Sequence, residues 1–234
     1  MKEALKMRSL IMIGVLVLAL GVPAGAIDDK IADRLWDSAK VLDELVKTPD
    51  AGIPKELLKR AECVAVIPGL KKAAFGFGGQ LGWGTVSCKK DAGKGAFGPP
   101  VMISLKGGSF GLQIGGQSTD VVMLFMTPDS MKVLVRDKVT LGGDISAAAG
   151  PVGRAASAET NATLRSEILT YARSRGLFAG ISLKGAVLSP DKDANKNVYG
   201  REIEAKVLLE QGNVTVPEPG QKFVETVTRS TSGN

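Results

Sequence analysis

Apolar positions along this chain keep two different periods, and the change between them divides it. From Asp28 to Lys47 the residues Ile31, Leu35, Ala39, Leu42, Leu45 and Val46 recur at helical spacing. They predict an amphipathic helix that Asp28 or Asp29 can cap and Thr48-Pro49-Asp50 stops, with Trp36 at the edge of the apolar stripe. A second short helix is expected from Pro54 to about Ala61, with proline at its first position. Glu62 to Ile67 then alternates as a strand, and Pro68-Gly69 reads as a turn before Lys71-Lys72. From Ala73 to Thr85 the period is two: Phe75, Phe77, Leu81 and Trp83 share one parity, Gly76, Gly78, Gly82 and Gly84 the other. Val101, Ile103 and Leu105 hold one parity and Phe110, Leu112 and Ile114 the opposite one, so a turn or bulge is expected at Gly107-Gly108. Val121 to Met126 is apolar throughout, as in a strand buried on both faces.

The second half is less regular. Thr127-Pro128-Asp129 has the form of a helix start, with a threonine cap, an early proline and an acid in the first turn. Leu141 to Gly153 is dominated by glycine and alanine, which suits close backbone packing or a loop, and 154–165 reads as exposed loop or edge. Ser166 to Arg175 fits a helix stopped by Gly176 and equally a strand. Leu177, Ala179, Ile181, Leu183 and Val187 share a face. Asp191 to Gly200 reads as a polar turn containing a single helical turn, Arg201 to Gln211 as helix or strand, and a last helix follows Pro217.

Glycine decides the class. The stretch from Ala73 to Met126 holds 13 of the 29 glycines, and a helix would lose about 1 kcal/mol at each relative to alanine, whereas a strand with one bare face lets another backbone approach closely. The expected fold is therefore α+β: a strongly bent antiparallel Gly-rich sheet or partial barrel, with N-terminal, central and C-terminal helices packed on it.

Lys2, Lys6 and Arg8, the apolar run Leu10 to Leu20 and the small residues Ala24-Gly25-Ala26 have the layout of a secretory signal peptide over residues 1–26. The run is shorter than the roughly 20 residues a membrane span needs, and the mature chain is expected to begin at Ile27 as a single domain, 27–234. Removing the leader lowers the formal net charge from +6 to +4, mildly basic. Aromatics are few and no nucleic-acid motif is present, so nucleic acid is not an expected partner.

Histidine is absent, which removes Ser-His-Asp, Cys-His and histidine-metal chemistry. Asp120, Asp144 and Glu159 have no spacing that pairs them for acid–base work, and Gly76-Phe77-Gly78 lacks the third glycine and the following helix of a dinucleotide fingerprint. No enzyme, cofactor or metal site is expected. Cys63 and Cys88 sit at the outer ends of two expected strands in a chain bound for an oxidising space; a disulfide is expected between them, with two buried thiols as the alternative.

The pieces A-F-G-F-G-G-Q-L-G-W-G (74–84), F-G-P-P (97–100), G-G-S-F-G-L-Q-I-G (107–115), D-V-V (120–122), A-A-G-P-V-G-R (148–154), Y-A-R-S-R-G-L-F-A-G (171–180) and Y-G (199–200) resemble, in order, the SYLF domain family of exported bacterial proteins and eukaryotic adaptors. The resemblance covers roughly 30–230 and favours strand over 166–175. It implies a non-enzymatic lipid-binding domain, with phosphoinositide or other anionic lipid bound by eukaryotic members and actin by some fungal ones. In a bacterial envelope the ligand would instead be phosphatidylglycerol, cardiolipin or outer-membrane lipid, and the location periplasmic if the source is Gram-negative. An envelope scaffold that binds protein partners through the Gly-rich sheet is the alternative.

Membrane association in the family has been linked to an N-terminal amphipathic segment, but acids outnumber bases between Asp28 and Lys47, so that helix is expected to dock on the sheet. Lys55, Lys59, Arg60, Lys71 and Lys72 form the densest basic cluster of the mature chain. With Trp36 as a possible apolar anchor, they are the candidate lipid-binding residues.

Overall fold

In the computed structural model the described residues are 27–47, 52–75, 77–90, 95–110, 115–152, 166–174, 177–212 and 214–232. The leader reading of residues 1–26 and the loop reading of 154–165 lie outside them. The helix α1 spans Asp29–Val46 and α2 Lys55–Arg60. Four long strands follow: β1 Cys63–Phe75, β2 Phe77–Cys88, β3 Val101–Phe110 and β4 Gly115–Phe125. After them come α3 Pro128–Val133, β5 Val139–Thr140, β6 Ala147–Ala149, β7 Ile168–Ser174, β8 Leu177–Gly180 and β9 Val187–Pro190. The chain ends with α4 Lys192–Tyr199, a π-helical stretch Val207–Gln211 and α5 Glu218–Ser232.

The strands make one curled open sheet, a half-barrel, in the order β5-β9-β3-β2-β1-β4-β7-β6 with β8 on β7. Within it β4-β1-β2-β3 is a Greek key, the fourth strand returning beside the first. Alternation along β1 sorts the core into two layers. Cys63, Ala65 and Ile67 point into the concave side with Val121, Met123, Ile103 and Leu105. Val64 and Val66 point outward with Val122 and Leu124, under α1, α2 and α5. Residues 121–125 are fully buried on both faces, as their unbroken apolar run requires.

Local chemistry accounts for most of the elements. Thr127 Oγ1 accepts from the Ser130 N–H at 3.1 Å and Ser130 Oγ accepts from the Thr127 N–H at 3.2 Å, closing a capping box at α3. α4 starts at Asp191, whose carboxylate accepts from the Ala194 N–H, and stops at Gly200 in the left-handed region, φ 69°; it is a full helix where a polar turn was expected. Asn195 fastens it to β3 by bonding both the N–H and the C=O of Met102, at 2.8 and 3.0 Å. Tyr199 donates to the Pro100 carbonyl at 2.5 Å, and burial pushes its pKa up. The ambiguous segment is strand β7, and 205–211 is helical.

Four expectations need correction. Phe75 pairs with Phe77, so the 73–85 stretch belongs to two strands rather than one; strand parity survives a tight reversal and does not reveal it. Pro68-Gly69 is a bulge within β1, not a turn. The register shifts between Val66 and Lys71 against β2 and between Ile67 and Leu70 against β4. Gly69 takes φ 58° there, and its N–H donates to Asp120 Oδ1 at 2.9 Å, which replaces a ladder bond. No register change occurs at Gly107-Gly108, which continue β3 opposite Gln80 and Gly79. Gly107 is small because a Cβ there would stand 3.0 Å from Ala186 Cα. Finally, 177–188 is broken into β8 and β9, since the chain turns at Lys184-Gly185, with Gly185 at φ 83°.

Candidate functional site

The bulge decides which side chains the outer face of the sheet presents. By adding a residue it places Leu70 in the concave core and turns Lys71 outward. Lys71 pairs in register with Leu81, and Leu81 with Lys106, so the three form one row across β1, β2 and β3, continued on β4 by Ser118. Trp83 stands two residues along β2 from Leu81. Leu81 and Trp83 are 37% and 39% exposed, and Lys71 and Lys106 are exposed too. Among the described residues no carboxylate makes an ion pair with Lys71 or Lys106.

Beneath this face the glycines do what a bare strand face allows. A Cβ on Gly82 would meet Ile67 Cγ2 at 2.6 Å and Leu70 Cδ1 at 2.8 Å, and one on Gly84 would run into the Val66 carbonyl and stand 2.8 Å from Ile67 Cα. The β1 backbone lies over them, as the glycine spacing implied. The bulky residues of alternate parity are consequently turned to the outer side, where α1 covers part of them. A shallow groove of about 300 Å3 runs between α1 and the sheet, lined by Lys30, Asp33, Asp37, Lys71, Leu81 and Trp83 among others.

The residues singled out from the sequence fall in three separate places. Lys55, Lys59 and Arg60 are exposed on α2, beside the Cys63 end of β1, where Lys89 Nζ donates to the Lys59 carbonyl. Lys71 lies eight positions further along β1, about 25 Å away at strand rise, and Lys72 faces the side opposite to Lys71 and is half-buried. The five bases therefore do not form one cluster: the expected turn at Pro68-Gly69 would have folded them together, and the strand instead carries them apart. Trp36, 39% exposed, lies on the other flank of α1, in a groove with Lys40, Lys222 and Arg229. Lys47 and Arg229 bond Asp43 there at 2.6 and 2.8 Å, and the Lys47 hydrogen bond holds the Asp43 carboxyl below the usual carboxylate range.

Cys63 and Cys88 are directly opposite in the β1–β2 register and form a disulfide, buried in the concave core. Leu81, Trp83 and Lys106 were not marked as site residues from the sequence. The common parity of Leu81 and Trp83 was visible, but apolar residues of one parity read first as a core face, and only the close approach of β1 to Gly82 and Gly84 reverses that assignment; Lys106 joins them through the β2–β3 register.

Other concavities offer less. A concavity of about 810 Å3 lies between α4 and residues 202–206, and four of the charges lining it pair with one another: Lys192 with Asp137 at 2.8 Å and Lys196 with Glu202 at 2.9 Å. Among the described residues no three His, Cys, Asp or Glu side chains are grouped to hold a metal ion, and no helix is long and apolar enough to cross a membrane.

In class, this is an α+β half-barrel of curled antiparallel sheet flanked by helices. The chain belongs to the SYLF family: residues 106–230 match the family described as Ysc84, Las17-binding protein actin regulator. It is 35% identical over 189 residues to LAS seventeen-binding protein 3 of Saccharomyces cerevisiae, covering 77% of this chain and 40% of that protein. It is 33% identical over 180 residues to SH3 domain-containing YSC84-like protein 1 of Homo sapiens, covering 74% of this chain and 51% of that one. The chain thus spans about half the length of these relatives or less.

Proposed function

We propose that this domain is a non-enzymatic, exported binding module whose ligand is anionic phospholipid. The observation that carries the reading is the exposure of Leu81 and Trp83 on a sheet face that also holds Lys71 and Lys106, which have no acidic partner among the described residues. Tryptophan at a membrane interface places an apolar body against acyl chains and a polar edge among headgroups, and each base near an anionic surface contributes on the order of 1 kcal/mol. Co-sedimentation with vesicles tests it. Binding is expected to phosphatidylglycerol-containing vesicles, to be weaker on pure phosphatidylcholine and to fall with added salt, because exposed charges are screened beyond about 8 Å at physiological ionic strength. Equal binding to both vesicle types at every salt concentration overturns the anionic-lipid reading.

Export through residues 1–26 belongs to the same reading and accords with the disulfide. The expected outcome is a mature protein beginning at Ile27 outside the cytoplasm, read by intact mass; an uncleaved chain retained inside the cell overturns it. A second reading, a protein-binding scaffold, is favoured by the printed description of the family as Las17-binding. It predicts capture of a protein partner that Lys71 and Lys106 reversals do not weaken.

A further inference from the structure

The hairpin end of the sheet is basic where it is described. The described residues in the distal halves of β1, β2, β3 and β4, 70–75, 77–83, 104–110 and 115–119, contain Lys71, Lys72 and Lys106 and no aspartate or glutamate. Their outer face continues beyond the Lys71–Leu81–Lys106 row as Gly116, Ala73, Gly79 and Gly108, all exposed. The α1 residues that line the groove with Leu81 and Trp83 lie within its first helical turns, Lys30 to Asp37. Past the Lys71 row the face has no helix over it among the described residues.

We infer that the outer face of this end of the sheet is the membrane-contacting surface: it docks on an anionic phospholipid bilayer through Lys71, Leu81, Trp83 and Lys106, while α1 stays folded on the sheet. The inference rests on the lipid reading above and assigns it a place. Charge complementarity selects the occupant, since an acid-free surface of lysine, glycine and large apolar residues fits a layer of anionic headgroups over acyl chains. Gly79 and Gly108 support a flat approach. A Cβ at either would meet nothing closer than 4.0 Å, so the fold itself does not need them small.

The rival surfaces fit less well. The apolar stripe of α1 is already spent on the core, with Leu35 and Leu42 fully buried. Three arginines also pin α1: Arg34 to Asp191 at 3.0 Å, Arg229 to Asp43 at 2.8 Å and Arg173 to Glu44. The α2 bases have no apolar anchor beside them, because the exposed large hydrophobic residues among those described are Trp36, Leu81 and Trp83. Asp33 and Asp37 stand on the α1 side of the groove, which keeps the contact on the tip side of Trp83.

Two variants of equal net charge make the test, Lys71→Glu/Lys106→Glu at the hairpin end and Lys55→Glu/Lys59→Glu on α2. All four side chains are exposed, and unchanged melting temperatures check that both variants fold. On vesicles of phosphatidylglycerol and phosphatidylcholine the hairpin variant is expected to bind about tenfold more weakly or worse, and the α2 variant within about twofold of the parent. In a Trp36→Phe background the fluorescence of Trp83 is expected to shift to the blue on binding and to be quenched by brominated acyl chains. If binding persists, but the two double variants weaken it equally or Trp83 is not quenched, the placement is overturned and the lipid reading stands. If the parent protein binds no anionic vesicle, both are overturned.

Discussion

At the Cys63–Cys88 end of the β1–β2 hairpin both faces of the sheet are covered, by the concave core on one side and α1, α2 and α5 on the other. At the Phe75–Phe77 end the outer face lies open at Ala73 and Gly79. Glycine occurs in both halves of the same strand and answers a different need in each. Gly82 and Gly84 are small because the bulge of β1 passes over them; Gly79 has room for a side chain and lacks one. One half is specified by packing, and the other leaves room that packing does not use.

The sharpest way to break this comparison is a matched pair of substitutions. Gly84→Val forces a branched side chain into the Val66 and Ile67 backbone, which no rotamer change can relieve. It is expected to cost about 3 kcal/mol or more, at or past the upper end of overpacking penalties. Gly79→Val, on the same strand, is expected to change stability by no more than about 0.5 kcal/mol. Urea unfolding of both variants measures the difference, and equal losses would erase the distinction drawn here. The covered end is next tested through its cross-link. Replacing Cys63 and Cys88 together by alanine is expected to lower stability by about 3 to 4 kcal/mol on the chain-entropy estimate, for cysteines 25 residues apart. Two free thiols in the unfolded, unreduced protein would show that the covered end holds together without it.

Much of the covered half was legible in the sequence. The unbroken apolar run at Val121 to Phe125, the helical stripe of α1 and the Thr127-Pro128 start each follow from local chemistry and stand where expected. The hairpin end was not. Pro68-Gly69 serves a bulge as well as a turn, and only its partners Asp120 and β4 decide which. That choice moves Lys71 and Lys72 far from α2 and onto opposite faces, so the candidate cluster came apart. The exposed row of Lys71, Leu81 and Lys106 draws on three strands. It therefore depends on pairing register, which a single sequence carries only weakly for strands rich in glycine.

The Greek key has a bearing on how the chain reaches this state. β1 pairs on one side with β2, its neighbour in sequence, but its other edge waits for β4, and Cys63 must meet Phe125 across the whole intervening segment. Contacts between distant residues form slowly, because chain closure is unfavourable until pairing offsets it. During that interval Val64, Ala65, Val66 and Ile67 present an apolar strand with unpaired backbone groups, the kind of edge at which nascent chains associate with one another. A β1–β2 hairpin closed by Cys63–Cys88 before β4 arrives would fix the strand's register early and shorten its exposure, so oxidation would guard the unfinished sheet as well as brace the finished one.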